Sequence, residues 1–108
     1  MTSYKEGCDA YERGDYSTAL KEFRPLVDQG DPLAQATLGL MYAEGQGVPQ
    51  DYVLAHMWMN LAAAKGVKEA VKNRDFLEKR MTPAQLAEAQ RLAREWQPKG
   101  SEPPTVDA

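Results

Sequence analysis

Apolar and small side chains recur through most of this chain at intervals of three or four residues, a spacing that places them on one face of an α-helix. The first stripe is mixed and contains Leu33, Thr37, Leu40, Met41 and Glu44. The next is rich in small residues, with Tyr52, Ala55, Met59, Ala62 and Ala63, and a third contains Leu86, Ala89, Ala93 and Trp96. No long stretch is rich in Val, Ile and Thr, so a β-sheet has little to form from. The pattern therefore predicts an all-α protein.

Residues that favour helix ends divide this pattern into six helices. The predicted ranges are about 3–13, 15–29, 31–44, 51–65, 68–81 and 82–97, with the N-caps Ser3, Asp15, Asp31, Asp51 and Thr82. Pro25 falls inside the second range, where we expect it to kink the helix or to shift its boundary. The tail 99–108 contains Gly100, Pro103 and Pro104 and has no apolar face, which predicts disorder.

Part of this pattern repeats after 36 residues. The identical pairs at this offset are Asp15 and Asp51, Tyr16 and Tyr52, Ala19 and Ala55, Gly30 and Gly66, and Ala34 and Ala70. Two-helix units of about 30–40 residues that cannot bury an apolar face alone are typical of solenoids. The repeat predicts three such units, at about 3–30, 31–66 and 67–97, within a single domain that spans residues 1–98.

A long motif runs through the middle unit. It reads Ala34-x-x-x-Leu38-Gly39-x-x-Tyr42-x-x-Gly45-x-Gly47-Val48-x-x-Asp51-x-x-x-Ala55-x-x-Trp58-x-x-x-Ala62-Ala63-x-x-Gly66. This motif resembles one complete Sel-one-like repeat, a unit similar to the tetratricopeptide repeat. The sequence departs from the family at Met59, where tyrosine is common, and at Asp75, where glycine is expected. The resemblance implies an all-α fold, a short right-handed α/α superhelix (solenoid) of about three helical hairpins and six helices.

The charge is unevenly distributed along the chain. Residues 1–65 carry five Lys and Arg against nine Asp and Glu, whereas residues 66–99 carry eight against five. A mildly basic C-terminal half favours an acidic partner, and a mixed, solvated helical surface is the alternative. The pairs Asp75–Lys79 and Glu95–Lys99 are four residues apart, which predicts ordinary ion pairs on a helix surface. The basic residues are too sparse to predict a nucleic-acid partner.

His56 and Cys8 are the first candidates for catalytic chemistry. His56, the single histidine, has no carboxylate at helical spacing, so we interpret it as a surface or helix-contact residue rather than a proton shuttle or pH sensor. Acidic neighbours disfavour a thiolate at Cys8, and one Cys with one His does not make a zinc site. The Gly45–Gly47 loop lacks the Lys-Ser/Thr ending of a phosphate-binding loop. The sequence therefore predicts no enzyme, no catalytic residue, no metal and no cofactor.

Two further patterns bear on the compartment. No apolar run reaches the roughly 18 residues that a membrane-spanning helix needs, so no membrane partner is predicted. The polar and charged start of the chain shows no signal peptide. Both observations favour a cytoplasmic protein, and a periplasmic location is the alternative if a signal peptide was removed ahead of Met1.

The resemblance also implies a binding surface, because the first helix of each unit lines the concave side of a tetratricopeptide-like stack. The positions that match its groove-facing residues are Tyr4, Cys8 and Tyr11, then Leu33, Ala36, Leu40 and Ala43, and then Glu69, Lys72, Phe76 and Lys79. Such a groove has an apolar centre, tyrosines on one side and two lysines on the other. It suits an amphipathic helix or a short peptide with an acidic end. The alternative is that the stack curls over, or that a second copy covers Leu33 and Leu40.

The predicted function is that of a protein–protein interaction module, a scaffold or adaptor that binds a peptide or helix of another protein on its concave face. The predicted partner-binding residues are Tyr4, Tyr11, Leu33, Ala36, Leu40, Lys72, Phe76 and Lys79. One alternative is a structural unit that dimerises to complete a longer solenoid. A hydrolase-like, cell-wall-related protein is less favoured, because no Ser or Cys is paired with a base.

Overall fold

The computed structural model describes residues 4–99, and within this range the chain forms six α-helices and no strand. The helices are α1 (Tyr4–Glu12), α2 (Tyr16–Asp28), α3 (Pro32–Glu44), α4 (Tyr52–Ala64), α5 (Lys68–Glu78) and α6 (Pro83–Glu95). The predicted all-α class and the number of helices are confirmed. The predicted Ser3 cap and nearly all of the predicted tail, from residue 100 onward, lie outside the described residues.

Side-chain caps fix the starts of four helices, as the sequence predicts. The carboxylates of Asp15, Asp31 and Asp51 each accept hydrogen bonds from backbone N–H groups in the first turn of α2, α3 and α4, at 3.0–3.2 Å. Thr82 and Gln85 form the reciprocal capping box at the start of α6. These bonds satisfy N–H groups that have no acceptor inside the helix, so the helix begins where the cap stands.

The predicted ends of two helices are wrong. α5 ends at Glu78 rather than near residue 81, because the chain turns there and the Arg80 N–H donates to the Leu77 carbonyl at 2.8 Å. α6 ends at Glu95, and Trp96 already has an extended backbone with φ −70° and ψ 139°. Pro25 does not shift the boundary of its helix, since α2 continues to Asp28. Helix ends depend on packing that local sequence signals do not include.

The wide turn of the middle unit packs on the first unit. Gly47 has a positive φ of 76°, and a Cβ at this position would lie only 3.0 Å from the Cβ of Tyr16. Between the two glycines of the turn, the Gln46 side chain accepts from the Tyr11 hydroxyl at 2.9 Å and donates to the Tyr16 hydroxyl at 3.2 Å. Glycine is therefore required at position 47, because the backbone has a positive φ there and lies close to Tyr16. Gln46 joins the middle unit to the first unit through its two hydrogen bonds.

The core consists of two clusters of buried side chains. The first lies among α1, α2 and α3 and contains Ala10, Ala19, Phe23, Val27, Ala34, Leu38 and Met41. The second lies between α4 and α5 and contains Ala55, Met59, Ala62, Ala70 and Leu77. α4 is central, because it packs against α3, α5 and α6, whereas α5 and α6 share few close backbone approaches. α5 is therefore held mainly by α4.

The segment that follows α6 returns to the first unit. The Trp96 ring meets the Trp58 ring edge-on, with 5.9 Å between the ring centroids. The Lys99 N–H donates to the Asp28 carbonyl at 2.7 Å, and the Lys99 ammonium lies 3.7 Å from the Asp28 carboxylate. The predicted Glu95–Lys99 ion pair is therefore wrong, because each residue has a different partner; Glu95 accepts from Arg91 at 2.8 Å.

Candidate functional site

A cavity of about 260 Å³ lies between α3 and α5, the first helices of two successive units. Its walls are formed by Leu40, Ala43, Glu44, Tyr52, Met59, Asn73, Phe76 and Leu77. Met59 and Leu77 are only 1% and 3% exposed and belong to the second core cluster, so this part of the wall is both apolar and fixed. We call this feature the α3–α5 cavity.

Two of the predicted partner-binding residues, Leu40 and Phe76, meet at this cavity from opposite walls. Phe76 is 55% exposed and Leu33 is 49% exposed, and these are the large apolar residues left exposed in the described part of the chain. Leu33 lies at the other end of α3 and does not line the cavity. Ala36 is half-buried against the second core cluster, as is Leu40.

The predicted tyrosines lie in the first unit and pack against its core. The Tyr4 ring is 5.7 Å from the Phe23 ring, and the Tyr11 ring is 5.5 Å from the Tyr16 ring, measured between centroids. Burial raises the pKa of both hydroxyls above the ordinary tyrosine value, and the nearby Glu44 carboxylate adds to the rise in the pKa of Tyr11. Both rings are half-buried, so part of each ring remains on the surface of the first unit.

The predicted lysines, Lys72 and Lys79, are exposed and lie one helical turn from Phe76 on either side. The Arg80 guanidinium stacks over Phe76, with its carbon 3.7 Å from the ring centroid, and donates to the Phe76 carbonyl at 3.2 Å. The predicted Asp75–Lys79 ion pair is wrong, because the Asp75 carboxylate lies 3.5 Å from Arg74 instead. The exposed side of α5 is therefore rich in cations beside an exposed aromatic ring.

The predicted groove positions did not include Asn73 and Arg80, although the repeat contains a signal for both. Applied to the polar positions of α3, the offset of 36 residues pairs Thr37 with Asn73 and Glu44 with Arg80. The pairing places Asn73 and Arg80 at positions equivalent to polar residues of α3. Tyr52 reaches the cavity from α4, and no signal in the sequence distinguishes it from a core residue.

Comparisons with known proteins agree with this geometry. The family model for the Sel1 repeat matches residues 32–67. A crystal structure of a protective antigen from uropathogenic Escherichia coli strains, which displays an SLR fold, matches with a TM-score of 0.76 and 32% sequence identity over 84% of this chain. Residues 32–67 are a Sel1 repeat, and the chain is a Sel1-like repeat protein with an SLR-type helical fold.

This Sel1-like repeat chain spans 21% of the length of that antigen. No curated protein sequence matches it. Sel1-like repeats are generally protein–protein interaction modules, and their fold is typically a non-catalytic scaffold. In residues 4–99, no helix is long and apolar enough to cross a membrane.

A polar cluster around the buried His56 holds the α5 wall of the cavity in this Sel1-like repeat protein. His56 on α4 is 1% exposed, and its Nε2 lies 3.2 Å from a carboxylate oxygen of Glu78 on α5. The Arg74 guanidinium donates to the Asn60 side-chain oxygen at 3.1 Å and also lies 3.6 Å from Glu78. His56 is thus a helix-contact residue, and its carboxylate partner comes from another helix, which local spacing could not show.

His56 Nδ1 is buried without a hydrogen-bond partner among the described residues. Cys8 lies in the first unit, packed against the first core cluster. Across residues 4–99, no group of three His, Cys, Asp or Glu side chains is placed to hold a metal ion. The His56–Glu78 and Arg74–Asn60 contacts join α4 to α5, so we assign the cluster a positioning role for α5.

Glu78→Ala is expected to lower the free energy of unfolding by about 1–2 kcal/mol, because it leaves the buried His56 ring without its partner. Urea denaturation followed by far-UV circular dichroism measures the change. Glu78→Gln retains an acceptor and should lose less. Glu69→Ala, an exposed acidic residue on the same helix, is the matched control and should change stability by less than about 0.5 kcal/mol. Equal losses in Glu78→Ala and Glu69→Ala would contradict the assignment.

Proposed function

We propose that this protein is a non-enzymatic scaffold or adaptor that binds a peptide or helix of a partner protein in the groove formed by α1, α3 and α5. The observation that carries this proposal is the pairing of Leu40 and Phe76 across the α3–α5 cavity. A phenylalanine that is 55% exposed beside an apolar cavity is a feature of partner-binding surfaces.

The size and lining of the cavity fit an anchor side chain of a protein partner. It has a volume of about 260 Å³, and most of the residues that line it are apolar. It suits a single large apolar side chain. Apolar anchors in pockets of this kind contribute most of the binding energy at protein interfaces.

The chemistry of the cavity supports a binding role without catalysis. Its titratable groups among the described residues are Glu44 and Tyr52, and no nucleophile paired with a base lies among the residues that line it. The fixed apolar residues and the half-exposed Phe76 provide a surface for association instead.

The proposal predicts that Leu40→Glu combined with Lys72→Glu abolishes partner binding without loss of helicity. The first change places a charge in the apolar cavity, and the second reverses a charge beside Phe76. The measurement is affinity isolation from a lysate of the source cell, with bound proteins quantified by mass spectrometry. At least a tenfold loss of the specific partner is expected, and circular dichroism should show unchanged helix content.

A matched control separates the groove from overall charge. Lys21→Glu with Gln29→Glu makes the same change in net charge at exposed positions of α2 and its C-cap, away from the cavity. This variant should retain the partner. A partner held equally by the wild type and by the groove variant would overturn the proposal. Recovery of only the protein's own copies, lost in the groove variant, would favour the self-assembling alternative instead.

A further inference from the structure

We propose that the partner segment carries a carboxylate beside its apolar anchor, and that Arg80 binds this carboxylate from its position above Phe76. This inference rests on the proposed function, because it takes the α3–α5 cavity as the site of the anchor. It adds the chemistry of the partner and a residue that determines specificity.

The geometry of Arg80 suits this role. Its guanidinium carbon lies over the Phe76 ring, 3.7 Å from the ring centroid, and one nitrogen donates to the Phe76 carbonyl. Stacking occupies the face of a guanidinium but leaves the N–H groups at its edge free to donate, and this edge matches a carboxylate in a bidentate arrangement. The stack and the hydrogen bond hold Arg80 beside the cavity, which lowers the entropy lost on binding.

Exposed cations lie around Phe76 on the α5 side of the cavity. Lys72, Lys79 and Arg80 all lie within one helical turn of Phe76, and none has a carboxylate partner among residues 4–99. Asp75 lies at the spacing that would allow it to pair with Lys79, yet it pairs with Arg74. A partner carboxylate beside Phe76 would therefore be attracted by three cations.

The opposite wall of the cavity fixes the side on which the carboxylate lies. Glu44 lines the cavity from α3, and its charge is strong enough at Tyr11 to help raise the pKa of that hydroxyl. A partner carboxylate on the α3 side would be repelled by Glu44. The acidic group must lie on the α5 side, beyond Phe76, with the apolar anchor between the two walls.

A peptide experiment tests the inference directly. The whole chain is used to select binders from a phage-displayed library of random 12-residue peptides, and selected peptides are synthesised and titrated by fluorescence anisotropy. The selected peptides should share a large apolar residue with an Asp or Glu within a few positions. Arg80→Glu should lower the affinity for these peptides about tenfold. A peptide with Lys in place of its acidic residue should bind Arg80→Glu with restored affinity. Arg94→Glu, an exposed arginine on α6, is the matched control and should bind as the wild type does.

The outcomes separate this inference from the proposed function. One outcome is that binding requires Leu40, but that removal of the acidic residue from the peptide lowers the affinity equally for the wild type and for Arg80→Gln. In that case the groove stands and the role of Arg80 is overturned. If no selected peptide is sensitive to Leu40→Glu, both proposals fail. Circular dichroism of each variant excludes a loss of fold as the cause.

Discussion

Phe23→Ala is expected to lower the free energy of unfolding by about 3–5 kcal/mol. Phe23 is fully buried and is the largest such side chain in the structure, at the centre of the first core cluster. Its ring also packs directly on the backbone of Gly7, where a Cβ would approach to 2.5 Å. A domain of this size has a total stability of about 5–15 kcal/mol, so the change removes a large share of it.

The chain contains its own control for this prediction. The other phenylalanine, Phe76, is half-exposed, and Phe76→Ala should cost about 1 kcal/mol or less while it weakens partner binding. Urea denaturation followed by circular dichroism, with the slope of the transition unchanged, gives both values. Equal losses for the two variants would show that the first core cluster does not hold the fold as described.

Gly39→Val is expected to destabilise the fold by about 2–3 kcal/mol, the largest effect after that of Phe23→Ala. A Cβ at Gly39 would lie 2.9 Å from Met59 Cγ and 3.2 Å from the Ala55 carbonyl oxygen, which is backbone and cannot move aside alone. Helix propensity alone predicts a gain in stability for Gly39→Val, because glycine is less favourable than valine inside a helix and costs about 0.8–1.0 kcal/mol relative to alanine. The close approach of α3 to α4 decides the outcome.

The control for Gly39→Val is Ala43→Val on the same helix. Ala43 lines the α3–α5 cavity, so the larger side chain has space there and carries the same conformational cost of a β-branched residue in a helix. Thermal and urea denaturation should show a loss below about 1 kcal/mol for Ala43→Val. A Gly39→Val variant as stable as Ala43→Val would mean that α3 and α4 can separate without cost.

The groove shows how far a repeat can be used to predict a surface. The groove positions of α3 and α5 brought Leu40 and Phe76 to one cavity, because equivalent positions of successive units lie side by side in a stack. The same argument did not reveal that Arg80 folds over Phe76, since Arg80 lies beyond the end of α5. The four-residue spacing on the helix, a separate argument, predicted a pair between Asp75 and Lys79, whereas the Asp75 carboxylate lies 3.5 Å from Arg74.

The sequence by itself determined the class of fold, the number of helices and where four of them begin. These features depend on groups within a few residues of each other, such as the Asp31 carboxylate and the first N–H groups of α3. The glycines of the wide turn were also visible, because a positive φ excludes most other residues.

Only the tertiary structure decided how the units hold one another. Gln46 bonds to Tyr11 across 35 positions, and His56 meets Glu78 across 22 positions. Contacts between residues far apart in the sequence also determine where α5 and α6 end. They also bring the final segment back to Asp28. Such contacts depend on the relative placement of whole helices, which results from the packing of all their buried side chains together and leaves no local pattern in the sequence.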